Sequence, residues 1–162
     1  MPTSDTLVHR STEYAERYPS GRALPPKLKV AIVACMDARL DPFGLFGLEV
    51  GDAHVIRNAG GVVTEDALRS LAISQHLLGT TEIVLVHHTD CGMLTFTDDA
   101  FRATLAKSAG QRPTWSPESF GDLDTDIRQS VARIRSNPFL IHRDAVRGFV
   151  FDVHSGELRE VS

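Results

Sequence analysis

Leu28-Lys29-Val30-Ala31-Ile32-Val33-Ala34-Cys35-Met36-Asp37-Ala38-Arg39 is the segment on which the reading of the fold turns. Its first eight residues form an almost uncharged run rich in β-branched side chains. A strand with one face in water alternates apolar and polar residues. One that is apolar on both sides is buried between two layers, which is the habit of parallel strands. The run then breaks into a thiol, a carboxylate and a guanidinium. In open parallel sheets, active groups collect outside the carboxyl ends of the strands. The segment therefore reads as a central strand that delivers Cys35, Asp37 and Arg39 to one edge of a sheet.

Glu82 to His87 (EIVLVH) is a second strand of this kind, and it ends in His87-His88-Thr89-Asp90-Cys91-Gly92. Ala53 to Arg57 is a shorter strand running into Asn58-Ala59-Gly60-Gly61, a loop able to take positive φ. Arg147 to Val153 is a further strand, and Ser155-Gly156 turns into another at Leu158 to Val161. Helices lie between them. Thr64 caps a helix over 65–78 whose Leu68, Leu71, Ala72 and Leu78 recur at helical spacing, with Gln75 breaking the apolar face and Gly79 closing it. Residues 98–109 read as helical. Leu123, Ile127, Val131 and Ile134 mark a helix stopped by Asn137-Pro138. Asp41-Pro42 starts a short helix or turn through Leu48. A polar helix over residues 4–19 leads the chain, with Val8, Tyr14 and Ala15 as its apolar contacts. The predicted fold is α/β: a central, mostly parallel β-sheet of four or five strands flanked by helices, with both its faces covered. Residues 1–162 form a single domain with an N-terminal helical arm at about 4–19.

Composition narrows the function. The 162 residues are 42% hydrophobic and 23% charged, enough for one core. With 17 basic against 21 acidic residues the net charge is −4, which argues against a nucleic-acid partner. The longest apolar run, Val30 to Met36, falls far short of the ~20 residues of a membrane span. The first residues lack a basic region followed by an apolar one, so a cytoplasmic location is expected. Two cysteines cannot build a disulfide framework and are expected to be free, catalytic or metal-binding.

Their surroundings favour a metal. A thiolate, an imidazole and a second thiolate make a good three-ligand set for zinc. His88 and Cys91, three apart, can face one ion from a tight turn, and Cys35 arrives from a neighbouring strand. A fourth position left open distinguishes a catalytic zinc from a closed structural one. Asp37 is either a fourth ligand or the acceptor of a hydrogen bond from a metal-bound water. Arg39 would hold it ionised and fix its direction. A Cys-x5-Arg phosphatase loop fails because position 41 is Asp41. A Cys-x-x-Cys redox pair and a dinucleotide glycine fingerprint are absent. A Cys–His nucleophilic pair stays open, as does a zinc that only staples two strand ends. His87 reads as a packed histidine, His54 and His76 as surface residues, and Arg57 as structural. Trp115 and Phe120 read as packing a loop against the core or a partner subunit.

Cys35-x-Asp37-x-Arg39, Arg57-Asn58-Ala59-Gly60 and His88-x-x-Cys91-Gly92, in this order, resemble the β-class carbonic anhydrases, most strongly over residues 28–95. The compact length is similar to a short subgroup that includes mycobacterial members. The resemblance implies a lyase that reversibly hydrates carbon dioxide to bicarbonate and a proton. It implies Zn2+ on Cys35, His88 and Cys91, with Asp37 and Arg39 as the dyad orienting zinc-bound hydroxide. Gly92, through its N–H, and Gly60 would be substrate-binding. It also implies a homodimer or homotetramer with the N-terminal helix laid over the partner. Carbon disulfide hydrolysis is the alternative on the same fold. His87, His54 or buffer would carry the released proton. The chain departs from plant-type members in having Pro25-Pro26 where they carry a glutamine.

Overall fold

The computed structural model describes residues 2–162. Its elements, in chain order, are α1 (Thr3–Ala15), β1 (Val30–Cys35), α2 (Pro42–Phe46), β2 (Ala53–Asn58), α3 (Glu65–Leu78), β3 (Glu82–His88), α4 (Asp98–Ala109), α5 (Leu123–Ser136), β4 (Val146–Phe151) and β5 (Leu158–Val161). Two single turns of tighter helix, Ala59–Gly61 and Gly92–Leu94, follow β2 and β3. The five strands lie in the order β2-β1-β3-β4-β5. The first four are parallel, and β5 returns antiparallel along β4. This is the expected α/β sheet.

The chain steps from β1 to β2 on one side and then crosses back over β1 to β3. The strand order thus reverses at β1, and a crevice opens between the carboxyl ends of β1 and β3, the usual ligand position in such sheets. Register pairs Val33 with Leu85 and Ala34 with Val86. Cys35 and His88 therefore leave the sheet side by side.

The two faces are not covered alike. One face packs Ala31, Val33, Ile83 and Leu85 against Leu71 of α3 and Ile134 of α5. There α5 lies so close to β4 that a Cβ on Gly148 would overlap Ile127, which explains a glycine within a strand. The other face packs Ile32, Ala34 and Val86 with Leu40, Val62 and Met93, and with Leu45 and Phe46 of α2. Loops and one short helix cover it.

α1 ends at Ala15 rather than at 19: Arg17 and Tyr18 turn more tightly, donating to the Tyr14 and Ala15 carbonyls, before Pro19. None of its residues is buried; Val8 and Tyr14 are exposed. α2 stops at Phe46, two residues short of the reading, at Gly47 with left-handed φ of 61°. The helices over 65–78 and 98–109 and the strand over 158–161 match their expected bounds. Gln75, read as a break in an apolar face, is buried: it accepts from the N–H groups of Ile141 and His142 and donates to the His142 carbonyl. No helix among the described residues is long and apolar enough to cross a membrane.

Candidate metal centre

The cysteine, histidine and cysteine singled out in the sequence converge. Ligand atoms of Cys35, His88 and Cys91 all lie within 4.8 Å of one another, and all three residues are buried. The two sulfurs are 3.9 Å apart, and both cysteines are free. Two thiolates each about 2.3 Å from one tetrahedral ion would stand about 3.8 Å apart, so the spacing suits zinc. His88 Nδ1 donates to the Thr89 carbonyl at 2.8 Å, which leaves Nε2 as the bare nitrogen. That Nε2 is buried and has no hydrogen-bond partner. An orphaned imidazole nitrogen facing two sulfurs is what a metal site requires of its third ligand.

Backbone groups support the sulfurs. Backbone groups of Asp37 and Gly60 favour the thiolate of Cys35, and the backbone of Met93 favours the thiolate of Cys91. The two sulfurs face each other within hydrogen-bond reach. The bond from Cys91 lowers the Cys35 thiol well below its usual range, and the same bond raises Cys91. A dication would let both ionise. Burial pulls His88 down, but the nearby Cys35 sulfur and the Thr89 carbonyl outweigh it, and the net shift is upward.

Asp37 sits at the rim. Its Oδ1 accepts from the Arg39 backbone N–H at 2.9 Å and from Nε at 3.0 Å; its Oδ2 accepts from Nη2 at 2.8 Å. These bonds hold the Asp37 carboxyl far below the usual carboxylate range, the side-chain fork contributing most. Oδ2 also lies 3.7 Å from His88 Nε2. The Arg39 fork continues to the Asp90 carbonyl at 3.0 Å, tying the dyad to the turn between His88 and Cys91.

Two residues of the loop after β2 complete the support. Gly61 has φ of 66°, and a Cβ there would meet Cys35 N at 2.7 Å and the Val86 carbonyl at 3.0 Å. Only glycine lets this loop press between the ends of β1 and β3. Arg57, read as structural, donates to the carbonyls of Cys35, Asp37 and Leu40 at 2.8–2.9 Å and so ties down the loop carrying the dyad.

Other candidates fall elsewhere. Gly60 is buried, with φ of 83°, and a Cβ there would crowd Met93, Phe120 and Val62. Gly92 is exposed beside Cys91. His87 is fully buried, with Nε2 2.6 Å from Asp126 Oδ2 and its ring stacked on Phe120. His54, expected at the surface, is half-buried and bonds Ser74 at 2.7 Å. Phe120 packs as expected, but Trp115 is exposed in the single chain. The sequence reading missed Asp98, which accepts from Ser116, from the Glu118 N–H, and from both the N–H and hydroxyl of Ser119. It thereby anchors the segment that carries Phe120. A carboxylate in the first turn of a helix gives no sequence signal of such a role.

Residues 30–158 match the family model described as carbonic anhydrase. The chain is 55% identical to Beta-carbonic anhydrase 1 of Mycobacterium tuberculosis, over all of this chain and 99% of that one. This chain belongs to the β-carbonic anhydrase family. It is thus a member of a family of lyases, and the match spans the whole sheet and every candidate ligand. A solved carbonic anhydrase from Streptococcus mutans superposes with a TM-score of 0.94 at 38% identity, over 100% of this chain and 99% of that one. The chain is also 33% identical to a carbon disulfide hydrolase of Acidithiobacillus thiooxidans, over 84% of this chain and 78% of that one.

Proposed function

We propose that this β-carbonic anhydrase reversibly hydrates carbon dioxide to bicarbonate and a proton at a zinc ion held by Cys35, His88 and Cys91. Asp37 and Arg39 act as its orienting dyad. The unpartnered His88 Nε2, facing two sulfurs with an ionised carboxylate 3.7 Å away, carries this reading. When bound, zinc supplies a Lewis acid that lowers the pKa of water from 15.7 to about 7. Asp37, held ionised by Arg39, can only accept hydrogen bonds. An oxygen nucleophile beside Oδ2 therefore has its hydrogen committed to Asp37 and a lone pair free for the carbon of carbon dioxide. Arg39 fixes that acceptor with two side-chain bonds, so little reorganisation accompanies attack. We assign the exposed Gly92 N–H as donor to the product bicarbonate.

The assembly we propose is a homodimer or homotetramer. A parallel sheet is normally covered on both faces. Here a groove of about 420 Å³ lined by Phe46, Val84 and Phe149 stays open on the second face, and α1 buries none of its apolar residues. A reducing compartment, the cytoplasm, would keep both cysteines available as ligands. The Acidithiobacillus relative makes carbon disulfide hydrolysis the second reading.

Stopped-flow hydration of carbon dioxide on metal-quantified protein, across about pH 6.5–9, tests the proposal. Expected are one zinc per chain and a catalysed rate that depends on Asp37. Zinc-loaded protein with only the uncatalysed rate overturns it. Sulfide release from carbon disulfide without carbon dioxide hydration favours the second reading.

A further inference from the structure

Hydration releases a proton, and its exit sets a ceiling on turnover. An acid of pKa ~7 reprotonated at an encounter limit of about 10⁹–10¹⁰ M⁻¹s⁻¹ sheds its proton to bulk water at only about 10²–10³ s⁻¹. Faster turnover needs a titratable group at the rim. Most histidines are badly placed for this. His87 is sealed and held by Asp126. His54 pairs in register with Ala31, four residues before Cys35 and toward the amino end of the strands. His76 lies on α3 and bonds the Phe139 carbonyl. His142 precedes β4, and His9 lies on α1.

His154 is different. It lies in the turn between β4 and β5, at the carboxyl end of β4, the same end as Cys35 and His88. Its side chain is 74% exposed, and its Nε2 is 2.6 Å from Asp90 Oδ2. Asp90 belongs to the ligand turn between His88 and Cys91, where it takes φ of 52°. Its carbonyl accepts from Arg39 Nη2, which also donates to Asp37 Oδ2. The two turns are laced together: Thr89 N–H donates to the Phe151 carbonyl, and Val153 N–H donates to Thr89 Oγ1. His154 is thus an exposed titratable ring fixed by side-chain contact to the turn that carries two metal ligands.

We propose that His154, aligned by Asp90, receives the proton released by hydration and passes it to buffer. This inference rests on the hydration reading. Nε2–H stays bonded to the Asp90 carboxylate while Nδ1 takes the proton through rim water, giving the imidazolium. Nδ1 then yields the same proton to a buffer base, restoring the neutral ring with no change in electron count. An unperturbed histidine titrates near ~6.5, suited to exchange at neutral pH.

The test compares zinc-loaded wild type with His154→Ala at equal zinc content. In weak buffer kcat falls about tenfold, kcat/KM for carbon dioxide is unchanged, and added imidazole restores kcat. In an independent NMR measurement the His154 ring resonances shift on Asp90→Asn, which removes the carboxylate that the ring contacts. An unchanged kcat in weak buffer overturns the inference. So does a joint fall of kcat and kcat/KM without imidazole rescue, or a ring indifferent to Asp90→Asn. Wild-type protein with zinc but no hydration sinks the hydration reading and this inference together; the other failures leave that reading standing.

Discussion

His87 and His88 are neighbours in β3, alike in type and both sealed from solvent, yet they belong to two different regions. His88 faces the crevice between β1 and β3, His87 the side where α5 and Phe120 pack. Each has one buried nitrogen without a partner. Around His88 Nε2 stand two sulfurs and the Asp37 carboxylate. His87 has only the Asp126 carboxylate on its other nitrogen and an aromatic ring 5.2 Å away. An orphaned nitrogen alone therefore does not make a site. Several anionic donors converging on it do, because a dication outweighs the cost of bringing like charges together.

The largest effect should come from breaking the His88 side. Cys35→Ser, His88→Ala and Cys91→Ser each lose zinc, measured by atomic absorption, and activity falls by roughly 10³-fold or more. Zinc retained at full occupancy by any of them would remove the distinction between the two histidines.

Next is the dyad. Asp37→Ala keeps zinc and loses about 10–100-fold in kcat/KM. The native Asp37 pKa lies below its unfolded value near ~3.9, so the stabilisation it contributes is complete above that pH. It fades only as pH falls through the lower native value. The hydration profile of the wild type should therefore show no limb from Asp37 anywhere above about pH 5. Acid should instead strip zinc by protonating the thiolates and His88, seen as falling metal content with falling pH.

The His87 side should answer in stability alone. Asp126→Ala leaves a buried imidazole unpaired and costs about 1–3 kcal/mol in urea unfolding, with zinc content and kcat unchanged. A loss of zinc in this variant would join the two regions. Smallest is Asp98→Ala, which frees Ser116 and Ser119 and costs about 1 kcal/mol. Faster amide exchange over 116–120 would report it without loss of zinc.

The strands, the helix over 65–78 and the ligand trio were legible because each is written in local pattern. Buried runs mark strands, helical spacing marks a face, and reactive residues at strand ends mark the edge where chemistry collects. Asp126, Asp98 and His154 were not legible. Their partners lie 39, 21 and 64 residues away in the chain, and only packing brings them together. The same holds for α1, whose helical pattern was visible but whose apolar side chains find nothing to cover them within one chain.

By itself the sequence determined that β1 and β3 are buried strands ending in Cys35 and in His88-x-x-Cys91, because period and composition act over a few residues. Only the tertiary structure decided that Asp126 holds His87, that Asp98 anchors the segment carrying Phe120, and that Arg57 ties down the dyad loop. Direction across a sheet, and the company a side chain keeps there, depend on register and on elements far away in the chain.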